Sequence, residues 1–378
     1  MKVIEYSDEE ADSFADDSYD PLFLVKGVEQ SVDDMKEIAN LRKKDVEMFV
    51  KLDSDLLAFG NSYNFNSFEM SSIVDAKKEA FDQIADVIPK YPDSDLYLIG
   101  SSKSGLGDLN LVIDLCWVIP DPVYLPSNYL GIAKKKLMDN LVCLKDDEVR
   151  AIKTRIPFLS FKVLVRGYCF SVNLSVNNTN AIYNTHLLYH YAKFDKRLAP
   201  LVKFLTYWGK KIGIINSFDG FLNRYTVTLM VVHYFQCGVS PPILPNLIFL
   251  YPEYFYGDGD VSELDYEVEF DGKVFEDRMG LTVEKNYAPL GDLLIGFFWY
   301  FKNFQFDSHG IYFKMACCGE KKTSDKFFIE DIYDDFSACR ISSLDKLERI
   351  KSAFHQAASV LSAEPVLKNL LDMEKSIL

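Results

Sequence analysis

Several things are scarce in this 378-residue chain, and each scarcity narrows its identity. No run of about 18 apolar residues occurs, so no transmembrane helix is expected. The start of the chain is acidic and lacks the basic-then-apolar order of a signal peptide. The 7 cysteines and 5 histidines are few and scattered. Adjacent Cys317 and Cys318 suit neither a C-x-x-C zinc site nor a disulfide framework, and the plain reading is a reducing compartment, cytosol or nucleus. Positive charge is also short: 41 Lys and Arg stand against 56 Asp and Glu, a net charge of −15. Sequence-independent nucleic-acid binding rests on Lys and Arg neutralising phosphates. The chain should therefore bind nucleic acid weakly unless its basic residues gather on one face.

What is present is enough for two domains with proper cores, at an ordinary 48% hydrophobic content. Residues 1–20 hold the run SDEEADSFADD and read as a solvated, flexible acidic tail or a short docking segment. Residues 31–60 carry a helical apolar rhythm, and 75–92 predict a second amphipathic helix leading into a strand at 95–99. Residues 157–165 and 168–176 flank Arg166-Gly167 and predict a β-hairpin. After Asn184 the pattern turns mainly helical, over 184–215 and 222–237, until Pro241, Pro242 and Pro245 break it. Residues 253–278 are dense in acid and read as a solvated insertion, with a small hairpin turning at Asp271-Gly272. Residues 343–361 are amphipathic, with Asp345 in an acidic first turn. Periodicity alone thus gives α/β followed by mostly α.

Residues 99–118, IGSSKSGLGDLNLVIDLCWV, carry the most specific signal. A Gly-Ser pair, a glycine-punctuated loop and a carboxylate-bearing strand resemble the signature of a polymerase-β-type nucleotidyltransferase. Side chains alternate along a strand, so Leu109, Leu111, Ile113 and Leu115 form an apolar face and Asn110, Val112, Asp114 and Cys116 the other. A two-metal site clamps its ions with carboxylates at i and i+2 and a third from a neighbouring strand. Asp114 fits the second position. Val112 holds the first and cannot ligate a metal. Asn173, on the strand 168–176, stands where the third is expected and supplies no charge. Asp108 is the candidate substitute ligand, yet it lies roughly 20 Å from Asp114 along an extended strand. Only a bend could bring both to one ion. The bland reading of Asp114 is a satisfied polar residue.

From about residue 80 to about 360 the chain resembles the cytoplasmic germline-type poly(A) polymerases and terminal uridylyltransferases, with the look of a degenerate member. The resemblance is carried by VNLSVNNTNAIYNTHLL (172–188), RLAPLVKFLTYWGK (197–210), LNRYTVTLMVVHYFQ (222–236), PLGDLLIGFFWYF (289–301) and FIEDIYDDFSACRI (328–341), in that order. It implies a palm of mixed sheet and helices at 75–183 and a mainly helical, poly(A)-polymerase-associated domain at 184–378 with an acidic insertion at about 253–280. Residues 31–74 would pack on the helical domain, 1–30 would form the tail, and the cleft would lie between the lobes. It implies nucleotide contacts from Ser101 (phosphate), Asn184 (ribose), Tyr225 (base stacking) and Lys210 (triphosphate). A second triphosphate lysine is replaced by Thr206, for which Lys203 is a partial substitute. Arg224, beside Tyr225, would either reach a phosphate or obstruct the base pocket. No histidine occurs between Asp331 and Arg340, which aligns the segment with the adenosine-adding branch. Three lost positions lead to the expectation of an impaired or inactive enzyme. It would act as scaffold or regulator in an RNA-processing, RNA-tailing or RNA-silencing complex. The alternative is an active RNA 3′-terminal nucleotidyltransferase adding A, less readily U. No cofactor is expected, with Mg²⁺ or Mn²⁺ required only if the chain is active and Asp114 a vestigial ligand. The expected partner is a protein that brings RNA indirectly, with weak nucleotide binding, no membrane, and a location in cytoplasm, ribonucleoprotein granules or nucleus.

Overall fold

The computed structural model describes residues 29–62, 67–107, 111–120, 122–270, 284–334 and 336–373. The tail, Asp108 and the Asp271-Gly272 turn therefore lie outside the described residues. The first amphipathic stretch forms two helices, α1 (Glu29–Lys44) and α2 (Val46–Ser62). Asp45 parts them: its carboxylate accepts from the Met48 N–H at 3.1 Å and starts the second helix as a cap. Ile38, Phe49, Leu52 and Leu56 then join the core of the helical lobe. Arg42 fastens them there, donating to Asp53 at 2.9 and 3.1 Å and to Asp292 at 2.7 Å.

Next in the chain come α3 (Ser67–Val87), β1 (Asp95–Ile99), the single turn α4 (Ser101–Ser104), β2 (Val112–Val118), α5 (Pro126–Asn140), β3 (Leu144–Ile152), β4 (Phe158–Val165) and β5 (Tyr168–Val176). Helix α3 stops short of residue 92 because Pro89 disfavours helical backbone at the residue before it. The five strands form one sheet in the order β1-β2-β5-β4-β3, with β2 and β5 parallel at its centre. The expected hairpin is β4-β5. Arg166 and Gly167 both take positive φ, 49° and 83°, and Val165 pairs with Tyr168 across them. Helix α5 and strand β3 escaped the sequence reading. β3 is an edge strand, LKDDEVRAI, whose pairing slips between Lys145 and Arg150, so it shows no clean alternation.

The two faces of the sheet do different work. Ile113, Leu115, Phe170, Val172 and Leu174 pack with Ile84, Ala80, Leu130 and Leu137 of α3 and α5 in the palm core. Cys116, on the other face, is equally buried, against Ile99, Ile182 and Tyr183. That face is covered by α6 (Thr179–Phe194), which leaves β5 after only two residues. With α3 and α5 on one face and α6 on part of the other, the central parallel pair is covered from both sides. Where α6 leaves the sheet uncovered, Val112, Asp114 and Asn173 face the cleft.

The helical lobe adds α7 (Leu198–Ile212), α8 (Arg224–His233) running into a π-turn at Tyr234–Gly238, α9 (Leu247–Leu250) and α10 (Pro252–Phe255). It is completed by α11 (Leu290–Asn303), the hairpin β6-β7 (His309–Tyr312, Cys317–Glu320), α12 (Leu344–Ala363) and α13 (Leu367–Leu371). The Ser343 hydroxyl caps α12 by accepting from the Lys346 N–H. Trp208, Phe297, Phe298, Phe301 and Phe354 form its aromatic centre.

The described part of the acidic segment is not a freely solvated insertion. Asp265, Glu267 and Glu269 are exposed, but Phe270 is buried against Tyr251, Tyr254, Phe255 and His190. The Asp265 carbonyl sits 2.8 Å from His186 Nε2 and 3.1 Å from His190 Nε2, and the two Nε2 atoms are 3.1 Å apart. Burial pulls His186 down from its ordinary value and His190 down to about 4. The unfolded chain, with ordinary histidines near 6.5, takes up these protons first as the pH falls. Melting temperature should therefore drop as pH falls from about 6.5 to about 4, and His190→Phe should flatten that slope. A profile with the same slope in the variant would contradict it.

Candidate active-site cleft

The cleft begins at Gly100, at the end of β1. Its φ of +70° suits glycine, and an added Cβ would lie 3.2 Å from Asp114 Oδ2. Its N–H donates to Thr185 Oγ1 at 2.8 Å, fixing the loop to α6. Ser102 donates to the Val112 carbonyl at 3.0 Å and accepts from Lys77 at 3.2 Å. Ser101 faces the cavity from this turn.

Asp114 on β2 lies opposite Asn173 on β5 in parallel register. The Asn173 amide donates to Asp114 Oδ1 at 2.9 Å. Burial pushes the Asp114 carboxyl above the ordinary carboxylate range; the Asn173 hydrogen bond and the charges of Arg224 and Lys77 pull it back. The second wall is another network. The Tyr225 hydroxyl lies 2.7 Å from Asn184 Oδ1 and 3.1 Å from Asp331 Oδ1, and Asn184 Nδ2 donates to Asp331 at 3.3 Å. Burial raises both the Tyr225 hydroxyl and the Asp331 carboxyl. Between the walls is a cavity of about 620 Å³ that also touches Thr206 and Arg224.

The structure thus brings Ser101, Val112, Asp114, Asn173, Asn184, Thr206, Arg224 and Tyr225 to one cavity. It does not bring the lysines. Lys203 donates to the Gly60 carbonyl at 3.2 Å, tying α7 to α2, and does not replace a lysine at Thr206. Lys210 is partly buried in the last turn of α7 and is not among the residues lining the cavity. One further helical turn displaces it about 6 Å from Thr206 along the axis. Two side chains that the sequence did not single out also line the cavity. Arg155, on the β3-β4 loop, donates to Asp334 at 2.6 Å and lies 4.5 Å over the Phe336 ring. The acidic segment 328–341 could have flagged Asp334; nothing in the sequence around Arg155 marks it.

A divalent ion needs several hard oxygen donors converging on one point. Val112 offers hydrocarbon and Asn173 turns an N–H₂ toward Asp114. Asp331 is committed to Tyr225 and Asn184, and Asp334 to Arg155. Among the described residues no three His, Cys, Asp or Glu side chains are placed to hold an ion. Among the described residues, the donors at this wall do not fit a metal pair. Asn173→Asp would set two half-buried carboxylates within hydrogen-bond distance. Its expected cost is about 1–3 kcal/mol, read as a lower melting temperature in EDTA and recovered by Mn²⁺. Unchanged stability in EDTA would contradict this reading of the pair.

Comparison with known proteins agrees with this architecture. Residues 52–193 match the family model of the central palm domain of mitochondrial-like poly(A) RNA polymerase. Poly(A) RNA polymerase gld-2 of Caenorhabditis elegans is 34% identical over 227 residues, 60% of this chain and 20% of that one. Poly(A) RNA polymerase GLD2 of Danio rerio is 31% identical over 304 residues, 77% of this chain and 59% of that one. The chain thus spans less than two thirds of the length of either relative. Among solved structures, GLD-2 in complex with RNP-8 superimposes with a TM-score of 0.73 at 27% identity, covering 86% of this chain and 99% of that one. The Cid1 poly(U) polymerase does so with a TM-score of 0.66 at 26% identity, covering 79% and 93%.

Proposed function

From its homology to the GLD2-type poly(A) RNA polymerases, carried on a nucleotidyltransferase palm, we propose that this chain is a catalytically impaired or inactive RNA nucleotidyltransferase. It serves as scaffold or regulator in an RNA-tailing, RNA-processing or RNA-silencing complex of the cytoplasm. The observation that carries this reading is the Asn173 amide donating to Asp114, the one carboxylate left of three. Metal clamping of a transferring phosphoryl group is worth several kcal/mol, and each 1.4 kcal/mol is about tenfold in rate. Losing two of three charges should cost several orders of magnitude. The net charge of −15 favours RNA delivered by a protein partner over RNA held directly. GLD-2 itself has been solved with the proteins RNP-8 and GLD-3, which supports a protein partner here.

A second reading is an active RNA 3′-end polymerase adding A. The names of the relatives favour it, as does the absence of histidine from Asp331 to Arg340. It requires Mg²⁺ or Mn²⁺ and ligands besides Asp114.

An RNA-extension assay with each nucleoside triphosphate, in Mg²⁺ and in Mn²⁺, separates the two. The parent chain should be silent, and a Val112→Asp/Asn173→Asp variant should gain extension. Extension by the parent that Asp114→Ala abolishes would overturn the first reading and establish the second.

A further inference from the structure

We propose that His186, His190 and the main-chain carbonyl of Asp265 bind a divalent first-row transition ion of the zinc class, which fastens the acidic segment to α6. None of the three lines the cleft, so the site is separate from any nucleotidyl-transfer chemistry.

The two histidines stand four residues apart on one helix, and that spacing puts them on one face. Their Nε2 atoms are 3.1 Å apart, and the Asp265 oxygen lies 2.8 Å from His186 Nε2 and 3.1 Å from His190 Nε2. The three atoms form a nearly equilateral triangle. Protons cannot make all three edges attractive. With both Nε2 atoms protonated, each donates to the carbonyl, and the edge between them sets N–H against N–H. With either one deprotonated, its lone pair faces the lone pairs of the carbonyl. A cation bonded to all three atoms removes the conflict. A point about 2.1 Å from each atom lies about 1 Å off their plane, and that is the ordinary length of a zinc bond to nitrogen or oxygen. One position of a tetrahedron is left for a fourth ligand.

The ligand types choose the ion. Imidazole nitrogen suits zinc, copper, iron and nickel, whereas Mg²⁺ and Ca²⁺ take oxygen. Among the first-row divalent ions Mn²⁺ is the weakest binder at such a site. Burial keeps both rings neutral, the form that ligates metal. His186 and His190 are buried, and the rings of Phe255, Tyr266 and Phe270 pack around them. An apolar surround of this kind excludes competing water. The Asp265 charge favours a cation here, while Lys103 and Lys193 oppose it. Both lysines sit over aromatic rings, Lys103 at 4.1 Å from the Tyr266 centroid and Lys193 at 5.2 Å from that of Tyr189.

The experiment is Zn²⁺ titration of the full chain, stripped in EDTA and kept reduced, in competition with a chromophoric chelator. The bound ion is then examined by X-ray absorption. One equivalent is expected, with imidazole scattering, nitrogen and oxygen neighbours at about 2.0–2.1 Å and no sulfur. It should raise the melting temperature. His190→Phe should weaken this equivalent about tenfold or more, and Cys317→Ser and Cys318→Ser should leave it unchanged. No bound equivalent, a shell containing sulfur, or equal affinity in His190→Phe would overturn the proposal. If His190→Phe does not fold, the coordination shell of the parent chain decides alone.

Discussion

The hydrogen bond between Asn173 and Asp114 is the constraint on which the cleft depends. Strands β2 and β5 run parallel and in register, so side chains at paired positions on one face are forced within reach of each other. Two carboxylates held so close in a half-buried site need a counter-charge. One carboxylate and one amide do not, because the donor satisfies the acceptor directly. The same backbone that can build a metal clamp here builds a closed polar pair. The rest of the cleft is consistent with that closure: Asp331 and Asp334 also have partners within the protein.

The position of the pair follows from the order of elements. Helix α6 begins just after β5, covers Cys116 and leaves Asp114 and Asn173 uncovered, then carries Asn184 and Thr185 past the end of β1. One helix therefore closes the sheet, anchors the Gly100 loop and supplies the facing wall. Its other side holds His186 and His190, which pin the acidic segment through the Asp265 carbonyl. The acidic side chains remain outward while the backbone is fixed. Net negative charge is thus kept on the surface, where it repels other polyanions.

Much of this was legible in the chain itself. Strict alternation exposed the β4-β5 hairpin and the face of β2 that bears Asp114, because one face of each strand is wholly apolar and buried. Ser101, Asn184, Arg224 and Tyr225, grouped by motif order, line one cavity. Other parts had no local signal. β3 is an irregular polar edge strand, so the period-two pattern fails there. The break at Asp45 depends on one side chain capping a backbone N–H. Lys203, spaced one turn before Thr206, instead donates to the Gly60 carbonyl. Arg155 and Asp334 meet across 179 residues, a pairing that no local pattern encodes.

The central claim is that the Asn173–Asp114 pair has replaced a divalent-metal site. It is tested most directly by Mn²⁺ binding followed by electron paramagnetic resonance on the purified chain, with and without ATP. The expected result is no tightly bound Mn²⁺ in either condition. One or more tightly bound ions, released by Asp114→Ala, would contradict the claim and return the cleft to metal-dependent chemistry.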